Sequence, residues 1–192
     1  AQLGTSVYRQ GEQARSKGNH REAAGHFERV GRLVPSSALR IIADYDAATA
    51  YVAAKDWPVA IRALEKFRKQ YPKDVKWKQG VTEKLALAYS SQGSELKAAK
   101  EMMSLVAMIP EDQKRDMLWQ AAELYNKAGE DKKAIEIYKT YVNKYPSPLS
   151  RSIELRHKIA QFYQPKKNKT EYRKWLKSIV DSDAKANDKS DR

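Results

Sequence analysis

The spacing of apolar positions along this chain is that of amphipathic α-helices. Strings of helix-forming residues fill the space between eight glycines and seven prolines, and alternating runs of β-branched residues are hard to find. The pattern therefore predicts an all-α protein. No stretch reaches the roughly 18 consecutive apolar residues that a membrane-spanning helix needs.

A three-residue pattern recurs four times with identical spacing. A small residue is followed four positions later by a bulky one and, eight positions after that, by a proline. The copies are Ala23, Phe27 and Pro35; Ala60, Leu64 and Pro72; Ala98, Met102 and Pro110; and Ala134, Tyr138 and Pro146. The small residue lets two helices approach, the bulky residue fills the space one turn later, and the proline stops the helix. Each copy therefore predicts the second helix of a helix pair.

The preceding helix of each pair carries its own marker. Nine residues before the small residue stand Tyr51, Tyr89 and Tyr125, with Ala14 in the first copy. Between the helices, glycine occupies the equivalent turn position in three copies, at residues 18, 93 and 129, where positive φ is easily adopted. Lys55 replaces it in the second copy, so that turn is expected to adapt.

These residues resemble the signature of the tetratricopeptide repeat (TPR), although its Trp is absent and successive prolines are 36 to 38 residues apart. The resemblance implies a right-handed superhelical solenoid of antiparallel helix pairs, about ten helices in all. The predicted repeats are 3–36, 37–73, 75–110, 111–147 and a degenerate 148–182, together a single solenoid over 1–182. Residues 183–192 are predicted to be a disordered tail, and the chain is expected to be a fragment of a longer protein.

The resemblance also implies a binding surface, because TPR proteins generally hold peptides in a concave groove lined by their first helices. The expected groove residues are Tyr8, Glu12, Arg15, Tyr45, Thr49, Glu83, Leu87, Trp119, Glu123 and Asn126. Aromatic side chains at three equivalent sites would be anchors for a partner, or would pack on neighbouring helices and stiffen the superhelix. One subclass of TPR adaptors clamps a chaperone's C-terminal carboxylate with Lys, Asn and Arg. Because Tyr and Glu stand at those sites here, that ligand is not expected.

Charge raises a second set of interpretations. The formal net charge is +13, and one dense cluster is a candidate basic patch. Its members are Arg151, Arg156, Lys158, Lys166, Lys167, Lys169, Arg173, Lys174 and Lys177. They would be solvated surface, or would bind an acidic protein or an anionic envelope surface. With Trp77, Trp119, Trp175 and Tyr172 they leave open a nucleic-acid-binding solenoid as the alternative function, beside a spacer within a longer repeat array.

Catalytic and metal-binding chemistry is not predicted. Cysteine is absent, the three histidines lack convergent ligands, and no nucleotide-binding or nucleophile motif occurs. No enzyme activity and no cofactor are therefore expected.

Tyr-Pro pairs close the second and fourth repeats, at Tyr71-Pro72 and Tyr145-Pro146. This style is similar to bacterial cell-envelope TPR proteins, namely the BamD-type outer-membrane assembly lipoproteins and the periplasmic Tol–Pal-associated protein. The resemblance implies a scaffold that binds a protein or peptide partner in the periplasm or at the outer membrane, with any membrane association indirect and through residues preceding Ala1. A cytoplasmic location is the alternative.

Overall fold

Helix-forming segments and recurring turns produce ten α-helices within the described part of the chain. The structure, a computed structural model, describes residues 2–165 and 168–190, with side chains as far as residue 184. The helices are α1 (Gln2–Ser16), α2 (His20–Leu33), α3 (Leu39–Ala53), α4 (Trp57–Gln70), α5 (Val75–Ser91), α6 (Glu95–Val106), α7 (Glu111–Lys127), α8 (Asp131–Lys144), α9 (Leu149–Tyr163) and α10 (Lys169–Ser190). Those residues contain no strand, so the all-α prediction is confirmed.

The chain divides into two compact units, residues 1–101 and 102–192, and the division falls within α6. In unit 1, successive helices from α1 to α5 pack on one another; in unit 2, α7 packs on α8, α8 on α9 and α9 on α10. The single solenoid expected over residues 1–182 stays a prediction. Repeat arrays divide in this way because each repeat contacts only its neighbours.

The repeat register read from the sequence describes the core of both units. Ala23, Ala60, Ala98 and Ala134 are at most 1% exposed. Three of the four bulky residues, Phe27, Leu64 and Tyr138, are equally buried, and each such side chain stabilises the fold by about 1.5–3 kcal/mol. The fourth, Met102, is only half-buried.

The helix-to-helix turn is the same in four repeats, including the one without glycine. Gly18, Gly93 and Gly129 have φ values of +79°, +76° and +74°, and Lys55 has φ +56°. After each, the next amide donates to the carbonyl five residues back, as from Asp56 to Tyr51 at 3.0 Å. The expectation that the Lys55 turn would adapt is wrong, because this hydrogen bond needs the left-handed residue whatever its side chain.

The tyrosines before the closing prolines tie the two helices of a repeat together. The Tyr71 hydroxyl donates to Asp44 at 2.6 Å, and burial together with this bond raises the pKa of Tyr71 to about 12. The Tyr145 hydroxyl donates to Glu111 at 2.6 Å. Hydrogen bonds from Lys144 and Tyr145 lower the pKa of Glu111 to about 2.

The last helix differs from expectation, because α10 continues through residues 183–190, where disorder was predicted. The segment contains Ala and Lys, which favour helix, and it prolongs a helix already held against α9 by Trp175. No helix in the described part of the chain has both the length and the apolar character for crossing a bilayer.

Candidate functional site

The predicted groove residues of unit 1 lie on three neighbouring helices, α1, α3 and α5. We call the surface formed by Tyr8, Glu12, Arg15, Tyr45, Thr49, Glu83 and Leu87 the first-helix face. Side chains join its helices directly: Tyr8 of α1 donates to Asp46 of α3, and Arg15 of α1 lies 3.3 Å from the same carboxylate. Because α3 also contacts α5, the three helices form one continuous surface.

Tyr8 is held by its neighbours. Its ring lies 5.1 Å from the ring of Phe27, and its hydroxyl donates to Asp46. Burial and this hydrogen bond raise the pKa of Tyr8 above its ordinary value. These contacts fit the interpretation in which the ring stiffens the stack.

Tyr45 packs against two other aromatic rings. Its ring centroid lies 4.5 Å from that of Trp77 and 5.6 Å from that of Phe67, and the Lys84 ammonium lies 5.4 Å above it. The ring crosses α5 at Gly80, where a Cβ atom would lie 2.4 Å from the Tyr45 hydroxyl. Gly80 is therefore what lets α3 and α5 share this aromatic contact.

The side chains that project from the first-helix face are mostly charged, with one apolar exception. Glu12 and Glu83 are exposed, the Arg15 side chain is 42% exposed, and Leu87 is 50% exposed. Thr49 turns its hydroxyl to the Asp46 carbonyl at 3.0 Å. The face thus presents an apolar side chain and both signs of charge above a floor of packed rings.

Unit 2 carries the remaining predicted groove residues. The Arg151 guanidinium lies 3.9 Å above the half-buried Trp119 ring, whose Nε1 has no hydrogen-bond partner among the described atoms. Glu123 accepts from Lys158 at 2.6 Å and Tyr138 at 2.7 Å. Burial opposes ionisation of Glu123, but these bonds keep its pKa below the ordinary value.

Asn126 is exposed and completes the predicted set in unit 2. Sequence reasoning missed Asp46 and Lys84, which organise these surfaces, and it named Trp77 and Lys158 only as a candidate stacking residue and a member of the basic patch. One signal was accessible for Asp46. It follows Tyr8 by 38 residues, about one repeat, so the two could have been placed at equivalent levels of neighbouring first helices.

The predicted basic patch separates into two groups. On α9, Arg151 covers Trp119, Arg156 donates to the Val142 carbonyl at 3.3 Å, and Lys158 pairs with Glu123 and Glu154. On α10, Lys169, Arg173 and Lys177 are exposed, and Lys174 pairs with Glu171 at 3.2 Å. Lys166 and Lys167 lie outside the described residues.

Three of the four aromatic residues considered for nucleic-acid stacking, the tryptophans, are engaged within the fold. Trp77 packs on Tyr45, Trp119 is covered by Arg151, and Trp175 is 7% exposed. Single-stranded nucleic acids need open rings beside cations. None of these three indoles offers one.

Comparisons with known proteins agree with this architecture. A family model described as "Outer membrane lipoprotein", YfiO, matches residues 2–148. The chain belongs to the YfiO family. Its repeats are of the tetratricopeptide type, as the sequence pattern predicted, and no curated protein matches the chain.

Solved structures similar to this YfiO-family chain are TPR proteins. A kinesin light chain TPR-like repeat protein from Podosopora anserina is 19% identical with a TM-score of 0.54, covering 95% of each chain. A structure of MamA is 19% identical, with a TM-score of 0.57, over 98% of this chain and 96% of that one. A tetratricopeptide repeat protein from Parabacteroides merdae is 14% identical with a TM-score of 0.59, over 94% of this chain and 67% of that one. At these identities the likeness shows the fold alone.

Proposed function

We propose that this chain is a protein-interaction scaffold of the bacterial cell envelope, and that it holds a segment of a partner protein on the first-helix face of unit 1. The observation that carries the proposal is Leu87, a large apolar side chain left 50% exposed among charged neighbours on a rigid helical surface. The scaffold role follows the fold, and the envelope location follows the family description.

The chemistry of the face favours a particular kind of segment. An apolar side chain of the partner would cover Leu87, and a basic group beside it would meet Glu83, one helical turn earlier. Arg15 offers a carboxylate-binding group on α1. The ring contacts of Tyr8 and Tyr45 fix the three helices in advance, which lowers the ordering cost of binding.

Site-specific crosslinking tests the face. A photoreactive residue at position 87 should crosslink to a partner protein in cells that produce the complete gene product, whereas the same residue at Arg62, exposed on the second helix α4, should not. Leu87→Asp should weaken the isolated complex at least tenfold, or about 1.4 kcal/mol, with an unchanged melting temperature. Equal crosslinking from both positions, or full affinity in Leu87→Asp, would contradict the proposal.

Cell fractionation tests the compartment separately. The complete gene product should sediment with outer membranes, and recovery in the cytoplasm would refute the envelope assignment while leaving the binding face intact.

A binding titration of the purified chain with single-stranded RNA tests the nucleic-acid alternative. Retained affinity at physiological salt would support that alternative instead.

A further inference from the structure

A tyrosine–glutamate hydrogen bond links successive repeats in unit 1. The Tyr51 side chain bonds to Glu28, and the Tyr89 hydroxyl donates to Glu65. Both glutamates directly follow the bulky residue of the repeat pattern, and both tyrosines are the repeat tyrosines of the next first helix. The contact is therefore a repeated feature of the fold, and it joins the second helix of one repeat to the first helix of the next.

The third repeat has lost this contact. Met103 stands directly after Met102, where the register demands the glutamate, and its partner in the next repeat is Tyr125. Within the described part of the chain, the Tyr125 hydroxyl has no hydrogen bond. Tyr125 is 7% exposed, and its hydroxyl oxygen is not one of the fully buried polar atoms without a partner, so this donor still reaches solvent.

An open depression of about 410 Å³ occupies this place in unit 2. Met103, Tyr125 and Ile137 form its apolar floor, and Lys132, Lys133 and Glu136 stand around it. The volume lies in the lower part of the range of ligand pockets, about 300–1,000 Å³, which suits one or two peptide side chains.

The rim of the depression is positively charged. Lys132 is exposed and forms no ion pair with any residue in the described ranges. The Lys133 ammonium lies 5.6 Å above the Tyr125 ring and 3.0 Å from Glu130. Glu136 is neutralised by Lys139 at 2.9 Å. An apolar floor, a free hydroxyl donor and an unpaired ammonium complement a carboxylate next to an apolar side chain.

We propose that this depression binds an acidic peptide segment of a partner protein: an apolar side chain covers Met103 and Ile137, and an adjacent carboxylate accepts the Tyr125 hydrogen bond and pairs with Lys132. The incoming carboxylate replaces the glutamate that the third repeat lacks. Apart from Tyr125 of α7, the lining residues lie on the second helices α6 and α8 of unit 2, so this site does not depend on the first-helix face of unit 1.

Methyl NMR of the complete 192-residue chain, with its four methionines labelled, tests the proposal. The probes are two synthetic peptides, acetyl-Glu-Leu-Glu-Leu-Glu-amide and the matched acetyl-Lys-Leu-Lys-Leu-Lys-amide. The acidic peptide should shift the Met103 methyl signal saturably, and the basic peptide should bind at least tenfold more weakly. No saturable shift, equal binding of the two peptides, or a Met103 shift that depends on protein concentration alone would overturn the proposal.

Two substitutions locate the site and separate binding from folding. Met103→Glu restores the missing carboxylate. It should weaken peptide binding at least tenfold and leave the melting temperature equal or higher. Lys132→Glu, on the exposed rim, should weaken the acidic peptide about tenfold, whereas the exposed Lys17→Glu carries the same charge change far along the sequence and should leave affinity unchanged. Undiminished binding in Lys132→Glu, or equal loss in Lys17→Glu, would refute the site even if Met103→Glu failed to fold.

Discussion

Lys55 carries a backbone conformation that costs free energy in the folded state. It occupies the left-handed position at φ +56°, where three other repeats have glycine, and its side chain is exposed. Replacing it with glycine removes the clash of Cβ with the following carbonyl group and retains the turn hydrogen bond from Asp56 to Tyr51. Lys55→Gly should therefore stabilise unit 1.

The size of the effect is a difference between two terms. A non-glycine residue in the left-handed region costs about 1–2 kcal/mol. Glycine, in turn, loses about 0.4–1 kcal/mol more conformational entropy on folding than a residue with a Cβ. The net gain is about 0.5–1 kcal/mol, which for a chain of this size corresponds to a rise in melting temperature of about 1–4 °C.

Urea unfolding followed by circular dichroism measures this change, and two glycines of unit 1 provide matched controls. Gly93 has φ +76°, so Gly93→Ala should lower the free energy of unfolding by about 1 kcal/mol. Gly25 is exposed within α2, and an added Cβ atom would meet nothing within 4 Å. Gly25→Ala should therefore raise the free energy of unfolding by about 0.5–1 kcal/mol. A loss of stability in Lys55→Gly, or the same sign for both alanine variants, would refute the reasoning.

Two further predictions concern contacts between helices. Gly80→Ala should destabilise unit 1 by about 1–3 kcal/mol, because the new methyl group would meet the Tyr45 hydroxyl; an unchanged urea midpoint would exclude this steric role. The hydrogen bonds from Lys144 and Tyr145 that lower the pKa of Glu111 stabilise the fold above the carboxyl's unfolded pKa. That stabilisation should fade as pH falls from about 4.5 towards 2, and melting temperatures across this window should fall less in Glu111→Gln than in the unsubstituted chain.

Much of the fold was predictable because the residues that make the repeated contacts recur at fixed spacing in the sequence. The small residue, the bulky residue and the turn position each serve one local purpose within a helix pair, so their recurrence predicted the pairs and the buried positions. Met102 is the informative exception, since it has the pattern's position but is less buried than the other three bulky residues. The prediction of a disordered tail differs from the structure for the opposite reason. Composition suggested disorder, yet a helix anchored by Trp175 continues into residues 183–190.

The candidate binding surfaces were only partly predictable. The register placed Tyr8, Tyr45 and Trp119 on first helices, but the covers of their rings come from Phe27, Trp77 and Arg151, and no local rule specifies those contacts. Leu87 was among the predicted groove residues, and packing of the aromatic rings was one of the two alternatives that the sequence left open.

The sequence by itself determined the helices, their pairing and the three turns that carry glycine, because each depends on residues within one repeat. Only the tertiary structure decided which polar groups meet across repeats. Tyr51 and Tyr89 find glutamates, whereas Tyr125 meets Met103 and an open apolar depression. That difference arises where two repeats stack, and it depends on side chains some twenty residues apart being brought together by the fold.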